Sequence, residues 1–215
     1  MEITWLGHSC IRIKSGTSTL LTDPFASSLG LPMGRQTADV VTMSQAHPHH
    51  GYADGVQGNP RVLSGPGAYE IGGFRIVGIA TDRGAEGDVR ATNTVYSFSC
   101  EGVTLCHLGD LNRPLSPTQQ QDLGHTDVLF VPAGGVCTLG TGRVAEVVNT
   151  LAPRIVVPLH YQMPGVDLGL GPLEAFLSDM GVAEPRRESE LTVTATNLPR
   201  ELSLVVLSRS TGAGR

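Results

Sequence analysis

The sequence predicts a layered α/β fold, two stacked β-sheets with helices on the outside, and three observations predict it. Short apolar runs, each closed by Gly, Pro or Ser, fill the first half. From residue 116 onward amphipathic helical patterns alternate with such runs. Two of the later runs, "DVLFVPA" and "RIVVPLH", are almost continuously apolar, which suits strands covered on both faces.

Taken in order, the strand signals are "EITWL" (2–6), "CIRIK" (10–14), "TLLTD" (19–23), "DVVTMS" (39–44), "RVLSG" (61–65) and "FRIVGIA" (74–80). Their length and β-branched content give each one a pleated, half-buried surface. "NTVYSFSCEGVTLCHLGD" reads as a hairpin about Glu101-Gly102, because glycine supplies the backbone freedom a tight turn needs. "SPTQQQDLG" is a short helix with Ser116 as N-cap, Pro117 at the first helical position, Gln119 completing a capping box and Gly124 as the stop. "TGRVAEVVNTLAP" sets Val144, Val147, Val148 and Leu151 on one stripe, and "PLEAFLSDMG" does the same with Leu173, Phe176, Leu177 and Met180 ahead of Gly181. "LTVTA" and "LSLVVL" are two further strands, and the terminal "TGAGR" is expected to fray.

With 215 residues, 40% of them hydrophobic and 16% charged, the chain reads as one globular domain spanning 1–215. No apolar run approaches the roughly 18 residues of a membrane span. "MEITWLGHSC" shows no secretory pattern, so the expected location is cytoplasmic. Cys10, Cys100, Cys106 and Cys137 form no C-x-x-C pair and are expected as reduced thiols in or near the core. A net charge of -5 with dispersed Lys and Arg argues against nucleic acid and for a small-molecule substrate, and leaves a homo-oligomer open.

The chemistry lies at strand ends. Gln45, His47, His49 and His50 follow "VVTMS", Asp82 follows "FRIVGIA", Asp110 follows "VTLCHLG" and His160 follows "RIVVPL". Loops carried on a rigid sheet commonly build sites. Imidazole and carboxylate together suit zinc, and also manganese or iron. "HPHH" alone also reads as a solvated polar loop, and His160 alone as a core histidine. His125, in a helix-ending turn, reads as structural or exposed.

These residues resemble a known pattern. "SQAHPHHGYADGV" is similar to the S-H-x-H-x-D-H segment of the metallo-β-lactamase superfamily, and the chain looks like its branch of small metal-dependent hydrolases similar to L-ascorbate-6-phosphate lactonase. "WLGHSCIRI", "LLTDPF", "SGPGAYEIGG", "NTVYSF", "HLGDL", "DVLFVPAGGVCTLG" and "RIVVPLHYQMPG" carry the resemblance from residue 4 to about 165. It implies an αββα sandwich with the site at one edge. In that family one metal is held by the H-x-H pair and a histidine from a later loop; the other is held by the Asp and His of D-H and the final histidine, and an aspartate bridges the two.

Position by position, His47 and His50 match, Asp110 matches the bridging aspartate and His160 the final histidine. Gln45 stands for the first histidine, His49 for the aspartate and Asp82 for the third histidine. The set still offers two carboxylates, which suggests a rearranged site; the competing reading is that drift has removed metal binding. The second site, with His50, His160, Asp110 and also His49 as a candidate, is richer than the first, which has only His47, Asp82 and the neutral amide oxygen of Gln45, so one metal is expected rather than two. The resemblance further implies a metal-bound hydroxide attacking a lactone, ester or phosphoester of a small anionic substrate, with Asp110 or His49 orienting it. His8, His107 and Asp23 read either as supports behind the ligands or as structural residues. The glycine-rich run 132–142 reads as tight-turn geometry or as an anion-holding helix start. A rival function is a catalytically degenerate scaffold acting as a binding or assembly protein.

Overall fold

A computed structural model describes residues 1–86 and 89–210. The first sheet draws on β1 (Glu2–Gly7), β2 (Cys10–Ser15) and β3 (Ser18–Thr22), an antiparallel meander. After a small two-stranded sheet of β4 (Gln36–Thr37) and β6 (Val56–Gln57), it continues with β5 (Val40–Thr42) and β7 (Arg61–Leu63), both parallel to their neighbours. The second sheet opens with β8 (Gly67–Ile71), β9 (Phe74–Glu86), β10 (Val89–Cys100) and β11 (Val103–His107). Then α1 (Pro117–Leu123), β12 (Val128–Pro132), α2 (Thr141–Leu151), β13 (Ile155–Leu159) and α3 (Leu173–Asp179) alternate. The chain finishes with β14 (Arg186–Glu188), β15 (Leu191–Thr192) and β16 (Ser203–Leu207). The strand orders are β15-β1-β2-β3-β5-β7 and β14-β16-β13-β12-β11-β10-β9-β8.

Strand periodicity explains the layers. In β12, Val128 and Phe130 enter the core between the sheets, while Leu129 and Val131 face outward into a second core. That outer core is closed by Leu123 of α1, Val144, Val147 and Val148 of α2, and Phe176 of α3. The helical stripes therefore bury against this sheet as the spacing predicts, and Ser116 makes both bonds of its capping box with Gln119. On the far face of the six-stranded sheet, Phe25, Leu29, Leu31 and Met33 pack over Leu6, Leu21 and Val41. Its cover is made of connecting segments with two 3-10 turns, Ser27–Leu29 and Ala53–Gly55, because residues 23–57 are rich in Pro and Gly and carry no helical stripe. Among the described residues no helix is long and apolar enough to cross a membrane.

Three differences from the sequence reading matter. The β9–β10 hairpin runs well beyond the apolar cores at 74–80 and 93–100, its pairing carried outward by backbone bonds, with Thr81 and Asn93 also bonded through their side chains. β8 and β14 escape the apolar pattern since their residues are half exposed or exposed. "TGAGR", expected to fray, lies outside the described residues.

Tyr96 fastens the sheets to each other. Its hydroxyl accepts from the Gly65 N–H at 2.9 Å and lies 3.0 Å from the Leu63 carbonyl, and burial pushes its phenol up to about 12. Tyr96→Phe takes the acceptor from the half-buried Gly65 N–H, while the Leu63 carbonyl keeps the Met43 N–H, so we expect a loss of about 1 kcal/mol in urea unfolding; an unchanged midpoint would show that solvent satisfies the Gly65 N–H.

Candidate metal centre

Four strand ends meet at one edge of the sandwich. His8 follows β1, Asp23 follows β3, Asp110 follows β11 and His160 follows β13, while His50 lies in the loop after β5. His8, Asp23 and His160 each have left-handed backbones, with φ of 50°, 41° and 52°. That conformation is uncommon outside glycine but is enriched for Asp and His, and it turns the chain sharply at the strand end. The two sheets are joined directly here, because the His160 N–H donates to the His8 carbonyl at 3.1 Å.

Asp110 is placed by Asn93 and Gly109. The fully buried Asn93 accepts from the Asp110 N–H at 2.8 Å and donates to the Leu108 carbonyl at 3.0 Å. Gly109, at φ 58°, lies where a Cβ would stand 2.4 Å from Asn93 Oδ1 and 2.5 Å from Ser44 Cβ, so no larger residue fits this approach. His107 donates from Nε2 to the Ser9 carbonyl at 2.9 Å and accepts from the Gly109 N–H at Nδ1, 3.2 Å away. Both of its nitrogens are therefore committed to backbone, so it shapes the two turns and touches no ligand side chain.

The result is a buried cluster. His8 Nε2 lies 3.3 Å from His50 Nε2, His50 Nε2 lies 3.3 Å from Asp110 Oδ2, and His160 Nε2 lies 3.2 Å from Asp110 Oδ1. Asp23 Oδ2 bonds His50 Nδ1 at 3.0 Å and is itself held by the Ser44 hydroxyl at 2.6 Å, with the Ser44 N–H on Oδ1 at 2.7 Å. This pairing keeps the proton on Nδ1 and leaves the Nε2 lone pair facing the cluster.

Charge follows from this packing. Burial alone would push the Asp110 carboxyl up, yet His50, His160 and Arg83 together hold it well below the usual carboxylate range. Burial lowers His50, but Asp110 and Asp23 outweigh it and raise the imidazole above its ordinary value. His8 is pushed far down by burial and by the neighbouring His160 and His50, and His160 is lowered chiefly by burial.

The β-lactamase superfamily domain matches residues 2–160. The chain belongs to the metallo-β-lactamase superfamily. It is 36% identical to a Thermotoga maritima protein, a candidate zinc-dependent hydrolase of this superfamily, whose crystal structure superposes with a TM-score of 0.81 over 97% of this chain and 99% of the other. A UPF0173 metal-dependent hydrolase of Methanospirillum hungatei is 29% identical over 188 residues, 75% of this chain and 83% of its own. Another, from Methanopyrus kandleri, is 24% identical over 195 residues, 75% of this chain and 84% of its own. Beyond residue 160, the chain supplies α3 and β14–β16, which close the outer core and add strands to both superfamily sheets.

Set beside the superfamily's ligand positions, the structure brings His50, His160 and Asp110 together and leaves others out. His47 is exposed, its ring 4.6 Å from that of His49. His49 is half-buried at the rim, its ring 6.2 Å from His8, and burial with the nearby His47 and His50 lowers it. Gln45 does reach Asp110, but with its amide nitrogen, which donates to Oδ2 at 2.6 Å. The placement of Asp82 as a ligand requires correction: its Oδ1 accepts from the Gly84 N–H at 2.9 Å and its Oδ2 lies 3.8 Å from Arg113. Asp82 pairs with Thr92 and Gly84 with Ala91, so Arg83 is the extra residue of a β-bulge in β9, and it is Arg83 whose side chain reaches Asp110. Arg83 Nη1 donates to Asp110 Oδ2 and to the Asp110 carbonyl, each at 3.1 Å. His8, expected as a support, stands in the cluster itself. Cys137 is exposed and not in the core, with its sulfur within 4.8 Å of ligand atoms of Asp110 and His160. The other thiols follow expectation more closely, with Cys10 and Cys106 buried and Cys100 partly so. The exposed His125 pairs with the buried Asp127.

A metal ion fits this donor set. Ligands around a tetrahedral ion at about 2.0–2.3 Å are separated by about 3.3–3.8 Å, close to the spacings within the cluster. Asp110 Oδ1 stands 3.2 Å from His160 Nε2 without forming a hydrogen bond, so both lone pairs remain directed at the space between them. Asp23→Asn removes the anionic acceptor behind His50 without touching a ligand atom. We expect zinc affinity to fall about 10–100-fold in chelator competition; unchanged affinity would separate Asp23 from the centre. In the metal-free protein, Arg83→Met removes the fixed cation from a buried carboxylate and should cost about 2–3 kcal/mol in chemical denaturation. Equal stability would mean that His50 and His160 suffice to hold Asp110.

Proposed function

We propose that this protein is a metal-dependent hydrolase that opens a lactone, ester or phosphoester bond in a small anionic substrate. The observation that carries the reading is the convergence of the His8, His50 and His160 nitrogens with the Asp110 carboxylate at the sandwich edge. The hydrolase names of its relatives support it. Zinc is the proposed ion, with manganese or iron as the alternatives. When bound, it supplies Lewis acidity, polarising a carbonyl or phosphoryl oxygen and making water a nucleophile near neutral pH.

The side chains divide the remaining work. Asp23 fixes the His50 tautomer, and the Asn93–Gly109 contact fixes the height of Asp110. Asp110 is held as an anion by Arg83 and Gln45 on Oδ2, so Oδ1 is the oxygen available to the ion and the attacking water. His49, at the rim, stands where its imidazole can take or return a proton. Arg83 beside Asp110 supports a single ion rather than a pair, because its guanidinium already places a positive charge against that carboxylate. Arg113, next to Asp82, adds an exposed cation and favours an anionic substrate. The soluble cytoplasmic setting remains part of this proposal.

The same Arg83–Asp110 pair favours a second reading, a scaffold that binds its ligand without turnover. One experiment separates the two. Protein purified without chelator is assayed for metal by mass spectrometry, then tested on aryl lactone, carboxyl ester and phosphodiester substrates. We expect close to one ion per chain and turnover of at least one class that disappears in His160→Ala. Metal binding without turnover would favour the scaffold, and failure to bind any ion after reconstitution would overturn both the metal centre and the hydrolase.

A further inference from the structure

The loop after β12 brings to the cluster a side chain that neither the ligand pattern nor the relatives assign. Gly134 packs its backbone against β13 so closely that a Cβ there would lie 2.4 Å from the His160 carbonyl oxygen. Gly135, at φ 61°, then turns the chain back, and the Leu139 N–H donates to the Leu111 carbonyl at 2.8 Å. The glycine run therefore serves close approach, with the result that Cys137, three residues on from Gly134, comes beside Asp110 and His160.

Two observations point to a ligand at this thiol. Asp110, almost wholly buried beside it, has its Oδ1 without a hydrogen-bond partner. A carboxylate oxygen of Asp110, a ring nitrogen of His160 and the Cys137 sulfur form a triad whose ligand atoms all lie within 4.8 Å of one another, beside the all-histidine triad of His8, His50 and His160. The two triads have His160 in common.

We infer that Cys137 is a metal ligand, and that Asp110, His160 and Cys137 form an outer seat selective for a soft ion such as zinc over a hard one such as manganese. The inference rests on the metal-centre reading above. On ligation the thiol proton leaves to solvent and the sulfur binds as thiolate. The triads share His160, and we assign them as alternative seats for a single ion. Thiolate favours zinc, whereas the inner triad of imidazoles accepts a broader range of divalent ions.

The test uses the full chain, with zinc and manganese as separate probes and iodoacetamide as the thiol reagent. Cys10 and Cys106 are buried and Cys100 is half-buried against Ser15, so peptide mapping reads Cys137 cleanly. Zinc is expected to slow alkylation of Cys137 at least tenfold relative to the metal-free protein, while manganese leaves it unchanged. Cys137→Ser should weaken zinc at least tenfold and manganese less than twofold, and should abolish the sulfur-to-metal charge-transfer band of the cobalt-loaded protein. Zinc binding of equal affinity in Cys137→Ser, with Cys137 of the zinc-loaded unsubstituted protein alkylated at the metal-free rate, would overturn the thiol ligand and leave the metal centre standing. No binding of zinc, cobalt or manganese would overturn both.

Discussion

Burying the Asp110 carboxylate is the constraint on which the rest of the site depends. An ionised carboxylate removed from water costs several kcal/mol unless cations and donors surround it. Here Arg83 and Gln45 supply donors to one oxygen, and His50 and His160 stand within 3.3 Å. Gln45 and His50 come from the loop after β5 in one sheet, and Arg83 and His160 from β9 and the end of β13 in the other, so the charge is tolerated only when both sheets are assembled. The same geometry leaves one oxygen without a hydrogen bond, 3.2 Å from the Nε2 of His160, whose burial disfavours the protonated ring. A group built in this way is matched to an external cation.

Much of this was legible in the chain. Apolar runs and caps located most strands and all three described helices, because burial on one face or two leaves a periodic record in sequence. His50, Asp110 and His160 were legible as site residues because each follows a strand that the apolar pattern marks. The strand-end position of His8 was visible too, but nothing local distinguishes a ring that joins a cluster from one that stands behind it.

What the sequence concealed has specific physical causes. Asp82 and Arg83 sit at a β-bulge, where the pairing skips from Asp82 opposite Thr92 to Gly84 opposite Ala91, so strand alternation read from sequence does not tell which of the two side chains reaches Asp110. The polar arm of β9 gives no apolar alternation by which to set that register. Cys137 was hidden for another reason: its neighbours come from β11 and β13, and only the close approach of Gly134 to His160 brings it there. The signal that could have found it is the paired glycine followed by a thiol at the end of a buried strand.

The departures from the superfamily's ligand pattern form one arrangement. Gln45 turns a would-be ligand into a donor to Asp110, and Arg83 brings a permanent cation to the same oxygen. His47 and His49, freed from the cluster, lie on the exposed loop at the rim. The site thereby shifts its weight toward His160. The most direct measurement is an anomalous difference map collected at the zinc absorption edge from zinc-loaded crystals. The account requires a single peak within about 2.0–2.3 Å of ligand atoms of His160 and of Asp110 or the inner histidines. A peak between His47 and His49 on the exposed loop, or none at the sandwich edge, would contradict it.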